Sequence, residues 1–315
     1  MRKKILGKTG LEISPVVVGG NVFGWTINEK ESFKMLDAFS EHGFNFIDTA
    51  DVYSRWKEGN EGGESETIIG NWQSQHKKRQ DIIIATKVGM DAGEGANLKR
   101  DYIIKQAEKS LKRLKTDYID LYFSHQDDES LAVEEPLRAH EELIKAGKVR
   151  FIGASNFSAP RLEEAILSAS QNHTPQYTVY QPGYSLIDKE QFEEEHERIC
   201  LEHGLAVVSY FSLAAGFLTG KYRGKDDLTK SVRGNKVEKY LNERGFNILK
   251  ALDTVADKHK CTPAAVALGW LIFHPSISAP IASATSISQL DSFVEAANLT
   301  LDPSDISILD KASVY

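Results

Sequence analysis

The residues best placed to do chemistry lie in Asn45-Phe46-Ile47-Asp48-Thr49-Ala50-Asp51-Val52-Tyr53, where a short apolar run ends on a carboxylate and a phenol follows in the next loop. Two comparable apolar runs carry an ammonium and an imidazole near their ends, Lys87 in residues 81–88 and His125 in residues 119–125. A free phenol titrates at about 10 and is a poor acid at neutral pH. A neighbouring ammonium favours the phenolate and lowers that value, while a carboxylate holds the ammonium's own charge. A histidine beside them could orient a carbonyl or share its proton. Together, Asp48, Tyr53, Lys87 and His125 suit proton delivery to a carbonyl oxygen as hydride arrives at carbon. Taken singly, the readings are plainer: an Asp in such a loop caps a turn, and a Lys is a solvated charge. Lys87 and His125 stand out because both interrupt apolar strand patterns. Asp51 reads as a turn or cap residue, and the other histidines as structural or solvated groups.

These groups meet only if strand ends converge. Apolar, strand-like segments occur at 16–20, 45–50, 81–88, 119–125, 149–155, 176–180, 205–210 and 278–281. Between them lie helical patterns at 29–43, 65–76, 101–115, 133–146, 159–170 and 189–203, then 246–259 and 263–273, with 288–297 and 303–311 after the last strand. The helix at 101–115 shows the spacing well, with Ile104, Ala107, Leu111 and Leu114 on one face. Parallel strands need such crossovers, and eight of them close a (β/α)8 TIM barrel, with its site at the strands' C-terminal ends. The turn Gly7-Lys8-Thr9-Gly10 between Ile5-Leu6 and Leu11-Ile13 predicts an N-terminal β-hairpin. An open doubly wound sheet is the runner-up. It calls for a glycine-rich nucleotide turn after the first strand, and Gly19-Gly20-Asn21-Val22-Phe23-Gly24 lacks that spacing.

Composition narrows the function classes. A net charge of −7 disfavours nucleic acid and anionic membrane as partners. Cys200 and Cys261 cannot build a disulfide framework, no apolar run approaches a membrane span, and the basic start is no signal peptide. A cytoplasmic enzyme in one barrel domain, 1–315, is the expectation. The run Gly216-Phe217-Leu218-Thr219-Gly220-Lys221 is one residue short of a P-loop, and Gly93-Glu94-Gly95 lacks a third glycine. No sequence cluster has metal-ligand spacing, so no metal is expected.

Along nearly its whole length the chain resembles an aldo-keto reductase. The likeness rests on Leu6-Gly7-Lys8-Thr9-Gly10-Leu11, Phe46 to Tyr53, Thr86-Lys87, and Ile119-Asp120-Leu121-Tyr122 with His125. It continues through Gly147-Lys148-Val149-Arg150, Gly153-Ala154-Ser155-Asn156-Phe157, Gln181 with Tyr184, and Leu218-Thr219-Gly220-Lys221-Tyr222. The resemblance implies a barrel that binds NADP(H) without a Rossmann domain and reduces an aldehyde or ketone to the alcohol; Trp25 and Trp56 could stack on a sugar-like or aromatic substrate. In the barrel so implied, Tyr53 is the general acid, Lys87 and Asp48 tune it, and His125 orients the carbonyl. Ser155, Asn156 and Gln181 would bond the nicotinamide carboxamide and Tyr210 would stack on the ring. Gly20 and Asn21 would join the cofactor site with Asp48. The turn Phe211, Ser212, Leu213, Ala214 and Gly216, with Lys221, would follow the pyrophosphate, and Ser283, Thr285 and Gln289 would face the adenosine phosphate. The same resemblance allows a second role, a cofactor-binding sensor or accessory subunit with little turnover.

The chain also departs from that pattern. Phe211-Ser212-Leu213 stands for the family's Ser-Pro-Leu, Ile281-Ala282-Ser283 for Ile-Pro-Gly, and Phe293 for an adenine-contacting asparagine. No Arg or Lys lies between Ile281 and Phe293 to meet a 2′-phosphate, which leaves Arg233 in the 223–240 insertion. The preference for NADP(H) is thus what the resemblance implies, and NAD(H) is the alternative. Phe293 either contacts adenine or packs its helix. Trp25, Arg55, Trp56 and Gln126 are the candidate pocket residues for a small-molecule carbonyl. Asp127, Asp128 and Glu129 form an acidic patch that disfavours anionic substrates unless Arg55 or Arg233 compensates.

Overall fold

The computed structural model describes residues 1–77, 79–90, 95 and 97–315. Gly93 and Glu94, of the lone glycine pair, lie outside the described residues. The chain opens with an antiparallel hairpin, β1 (Lys4–Ile5) and β2 (Glu12–Ile13). A closed parallel barrel follows, made of β3 (Val17–Gly19), β4 (Phe46–Asp48), β5 (Ile83–Val88), β6 (Ile119–Ser124), β7 (Val149–Ser155), β8 (Val179–Gln181), β9 (Ala206–Ser209) and β10 (Ala279–Ala282). Strands pair in chain order, and Ile281 of β10 pairs back with Val17 of β3. That closure is the (β/α)8 fold the sequence indicates and excludes an open sheet.

Helices α1 (Glu29–Glu41), α2 (Glu64–His76), α3 (Arg100–Leu114), α4 (Glu134–Lys145) and α5 (Ala159–Asn172) join successive strands on the outside, as does α6 (Glu197–His203). They are followed by α7 (Glu243–His259) and α8 (Pro263–Phe273) before β10, and by α9 (Ile287–Asn298) and α10 (Pro303–Ala312) after it. Their ends follow local chemistry. Asn28 with Glu31 and Asp302 with Asp305 form capping boxes, which satisfy amide groups the helix cannot. Gly43 stops the segment after α1 at a φ of 84°. The helix expected over 189–203 contains a wide π turn at Phe192–His196. Within it His196 lies flat on the Tyr180 ring and its Nε2 meets the Phe157 carbonyl at 2.9 Å, so the extra residue aims an imidazole inward. The 223–240 insertion is a chain of short 3-10 turns, Lys225–Lys230, Gly234–Lys236 and Glu238–Tyr240.

Side chains alternate across a strand, and the two apolar clusters show which way each points. Val17, Phe46, Ile83, Ala85, Leu121, Phe123, Val179, Ala206, Val208, Ala279 and Ile281 fill the barrel with Leu6, Leu11 and Ile13 of the hairpin. Val16, Val18, Ile47, Ile84, Tyr122, Ile152, Tyr180 and Val207 pack outward under the helices. Counting two residues past the last inward position of each strand, Gly153 in β7, gives the next layer: Gly19, Asp48, Lys87, His125, Ser155, Gln181, Tyr210 and Ser283. The candidate chemistry is thus the top course of the barrel filling. Among the described residues no helix is long and apolar enough to cross a membrane.

Gly153 lies on the inward side of β7, where an added Cβ would fall 2.3 Å from the Phe123 ring and 2.9 Å from the Val179 carbonyl. Gly153→Ala should destabilise the fold by about 1–3 kcal/mol, the usual cost of overpacking. Denaturant unfolding measures it; a loss of a few tenths of a kcal/mol would mean that Phe123 moves aside freely.

Candidate active site

The three strands β4, β5 and β6 end side by side, and their inward residues Asp48, Lys87 and His125 are buried. Lys87 has no exposed surface, so each donor of its ammonium needs an acceptor. It has three: Asp48 Oδ2 at 2.7 Å, the Thr49 carbonyl at 2.7 Å and the Tyr53 hydroxyl at 3.1 Å. Asp48 in turn accepts from Gln181 Nε2 at 3.0 Å through its other oxygen. Tyr53 reaches back from the loop after β4, with its hydroxyl 3.4 Å from Asp48 Oδ2, a long contact for a hydroxyl donor. Lys87 occupies an acceptor site of that hydroxyl, and the hydroxyl's hydrogen remains weakly engaged. The His125 ring meets Tyr53 edge-on at 5.9 Å, and its amide is held by the Val88 carbonyl.

The charges differ from the sequence expectation in one respect. Burial, followed by the Asp48 carboxylate, pushes the Tyr53 phenol well above its ordinary range, whereas a neighbouring lysine was expected to lower it. The phenol is a firmly protonated group at rest, which is the form a proton donor needs. Burial also lowers Lys87, against the raising effects of Asp48, Asp51 and Glu66. Burial and then the Lys87 charge hold His125 well below its ordinary value, so the imidazole is neutral near pH 7.

The adjoining strand ends carry the residues expected to meet a cofactor. Ser155 donates to the Gln181 carbonyl (2.8 Å), and Asn156 Nδ2 donates to the His125 carbonyl (2.8 Å). The Tyr210 hydroxyl donates to Asn156 Oδ1 (2.8 Å). Tyr210 lies against Gly183, where a Cβ would come within 3.2 Å of the ring. After it, Phe211, Ala214, Ala215 and Gly216 all take positive φ, and the Lys221 ammonium lies over Gly216. Such left-handed backbone is strained outside glycine. Ser283 Oγ donates to Asn21 Oδ1 (2.7 Å), and Gln289 Oε1 accepts from the Thr285 amide. Gly20 lets the backbone run close to the Asp48 carbonyl and Ser65.

Some expectations change. The Ser212 hydroxyl is buried and donates to the Ser209 carbonyl, which engages it within the chain's own turn. Phe293 is buried and stacked on Phe39, which settles it as packing. The acidic patch is largely consumed by structure: Asp127 pairs with Arg161, and Asp128 accepts from the Leu98 amide and Ser130. Arg233 stands 5.1 Å from the Trp25 ring, with Nη2 buried and unpartnered. Trp25 meets Trp56 edge-on at 5.5 Å, and Trp56 leans on Tyr53 at 5.8 Å, which makes an aromatic wall. Arg55 and Gln126 are half-buried on the neighbouring loops. Asp51 caps nothing: both carboxyl oxygens are buried without a hydrogen-bond partner.

Sequence reasoning passed over Gly183 and the Glu66–Arg113 ion pair beneath the site (2.6 Å). Glu66 shares the buried helical face of Ile69 and Gln73, a charge in an apolar stripe that signals a buried partner. Glu163, Glu202 and His203 come within mutual reach on the outer surface, although the sequence spacing shows no such cluster. Arg198 already pairs with both glutamates there.

The profile of the Aldo/keto reductase family matches residues 15–314. Among similar proteins, the Bacillus subtilis (strain 168) protein named Uncharacterized oxidoreductase YrpG is 32% identical over 98% of this chain and 95% of its own length. A Probable voltage-gated potassium channel subunit beta of Arabidopsis thaliana is 32% identical over 95% of this chain and 92% of its own. Aldo-keto reductase YhdN of B. subtilis (strain 168) is 31% identical over 95% and 90%.

Removing one partner of the buried pair isolates the other's charge. Lys87→Met should cost about 3–5 kcal/mol of stability, and the double variant Lys87→Met/Asp48→Asn less than the sum of the singles. Urea unfolding of the four proteins reads the cycle; simple additivity would show that the pair is not coupled.

Proposed function

The chain belongs to the aldo/keto reductase family, and from that premise we propose that it reduces an aldehyde or ketone to an alcohol with NADPH, with Tyr53 as the proton donor. One observation carries the reading: a fully buried ammonium bonded at once to Asp48 and Tyr53, with a neutral His125 at the phenol's edge.

A bound nicotinamide cofactor supplies the hydride that adds to the carbonyl carbon. The chain's own residues do the rest. His125 and Tyr53 bracket the carbonyl oxygen, and the Tyr53 proton passes to it as negative charge develops there. The phenolate left behind is stabilised by Lys87 until a solvent proton restores it. Asp48 keeps Lys87 charged and fixed.

The fit of the dinucleotide to this chain rests on five neighbouring strand ends, β7, β8, β9, β10 and β3. Ser155, Asn156 and Gln181 would hold the carboxamide, with Tyr210 under the ring in the space Gly183 leaves. The left-handed turn 214–216 and Lys221 would take the pyrophosphate. The Asn21–Ser283 bond joins the rims of β3 and β10, and Arg233 lies over the β3 loop. Its unpartnered guanidinium nitrogen suits the cofactor's phosphate end, where no other Arg or Lys of the last strand–helix segment is available. The wall of Trp25, Trp56 and Tyr53 favours a carbonyl attached to an aromatic or sugar ring.

The accessory-subunit reading draws on the plant relatives named as channel beta subunits. The assembled Asp48–Lys87–Tyr53 cluster favours turnover. Stopped-flow NADPH oxidation across a panel of aldehydes and ketones separates the two, since binding without turnover on any of them would favour the subunit. Tyr53→Phe should lower kcat by roughly 100-fold or more while cofactor affinity stays within a few fold; retained turnover would sink the mechanism. Arg233→Ala should raise KM for NADPH more than for NADH. Equal effects would move Arg233 out of phosphate recognition.

A further inference from the structure

We propose that Asp51 is a positioning residue for this same reaction: its carboxyl, buried without a hydrogen-bond partner on a loop whose backbone is bonded to that of Lys87, sets by its own charge how strongly the ammonium supports Tyr53, so the site works best with this carboxyl neutral. The inference rests on the reading of Tyr53 as proton donor.

The geometry isolates the group. Asp51 sits two residues before Tyr53, and its amide donates to the Lys87 carbonyl (3.3 Å). The residue is 7% exposed, and neither carboxyl oxygen has a hydrogen-bond partner. The Val52 amide faces it outside hydrogen-bond geometry. An unpaired polar group in such a place is costly, and a carboxyl lessens that cost by keeping its proton. The groups that act on it come from every wall. From α2, Glu66 is engaged by the Thr86 hydroxyl (2.5 Å) and by Arg113 of α3 (2.6 Å). From β5 comes Lys87. From β6 comes Tyr122, whose hydroxyl is also buried without a partner and whose proton is held more tightly by burial and by the Asp51 charge.

Burial and then Glu66 raise the Asp51 carboxyl to about 7, against Arg113, the Val52 amide and Lys87. Below that pH it is neutral, and Lys87 is balanced chiefly by Asp48. Above it a further negative charge acts on Lys87, lowers the positive potential at the Tyr53 hydroxyl and makes proton loss from the phenol harder. His125 is held neutral and contributes no step in this range.

The test compares wild type with Asp51→Asn, an isostere that is neutral at every pH. Carbonyl reduction is followed as kcat/KM from pH 5.5 to 9. Wild type should fall roughly three- to tenfold between pH 6 and 8.5, and Asp51→Asn should lose that step. A variant that keeps the wild-type step overturns the proposal. Stability gives a readout free of turnover. A carboxyl raised on folding favours the folded state most below its unfolded value of about 4. That contribution is lost as pH rises through about 7. Wild type should therefore lose stability relative to Asp51→Asn between these limits, and a constant difference overturns the proposal. Should Asp51→Asn fail to fold, Glu66→Gln serves instead: it removes a charge that raises Asp51, so the kinetic step should move to lower pH, and an unmoved step overturns the proposal. Failure of the premise looks different. If Tyr53→Phe still turns over, the mechanism is lost, whereas a dead Tyr53→Phe beside an unaltered Asp51→Asn profile removes only the role of Asp51.

Discussion

A lysine ammonium with no exposed surface is the constraint on which the upper half of this barrel depends. Charge in a medium of low polarity must be matched nearby, and here Asp48, the Thr49 carbonyl and the Tyr53 hydroxyl use all three donors. Meeting that demand fixes the end of β4, the turn after it and the position of the phenol. The same demand reaches β8, because Gln181 braces Asp48 from across the barrel. A group that would destabilise most interiors here organises four segments of chain.

Barrel closure makes the arrangement general. Inward positions recur every two residues along each strand, and eight strands in parallel register bring their last inward residues to one rim. Apolar residues occupy the lower courses and polar ones the uppermost. The division of labour follows strand order. Asp48, Lys87 and His125 end β4, β5 and β6, and the cofactor-facing candidates end β7 to β10 and return to β3. Adjacent strands therefore bring these groups to one rim, although they are far apart in sequence.

Much of this was legible in the chain. Lys87 and His125 betray themselves because a charge and an imidazole interrupt apolar runs, and period-two counting from Ile83 and Leu121 places both inward. Strand–helix alternation gave the barrel, and Gly7 to Gly10 gave the hairpin. What stayed hidden depends on partners that only folding supplies. Phe293 could have faced adenine until Phe39 was found against it. Asp127 read as a bare acid because Arg161 lies a helix away. Asp51 looked like a turn residue, since nothing local announces that its neighbours turn elsewhere. The direction of the Tyr53 shift reversed because desolvation, invisible in a one-dimensional pattern, outweighs a single favourable neighbour.

The small N-terminal hairpin has a consequence for traffic. Leu6, Leu11 and Ile13 share one apolar cluster with the inward residues of the strands, and Gly7 rests against Ala206 at the start of β9. One end of the cylinder is thereby stoppered by the chain's own beginning. Whatever reaches the Lys87 cluster arrives and departs through the opposite rim.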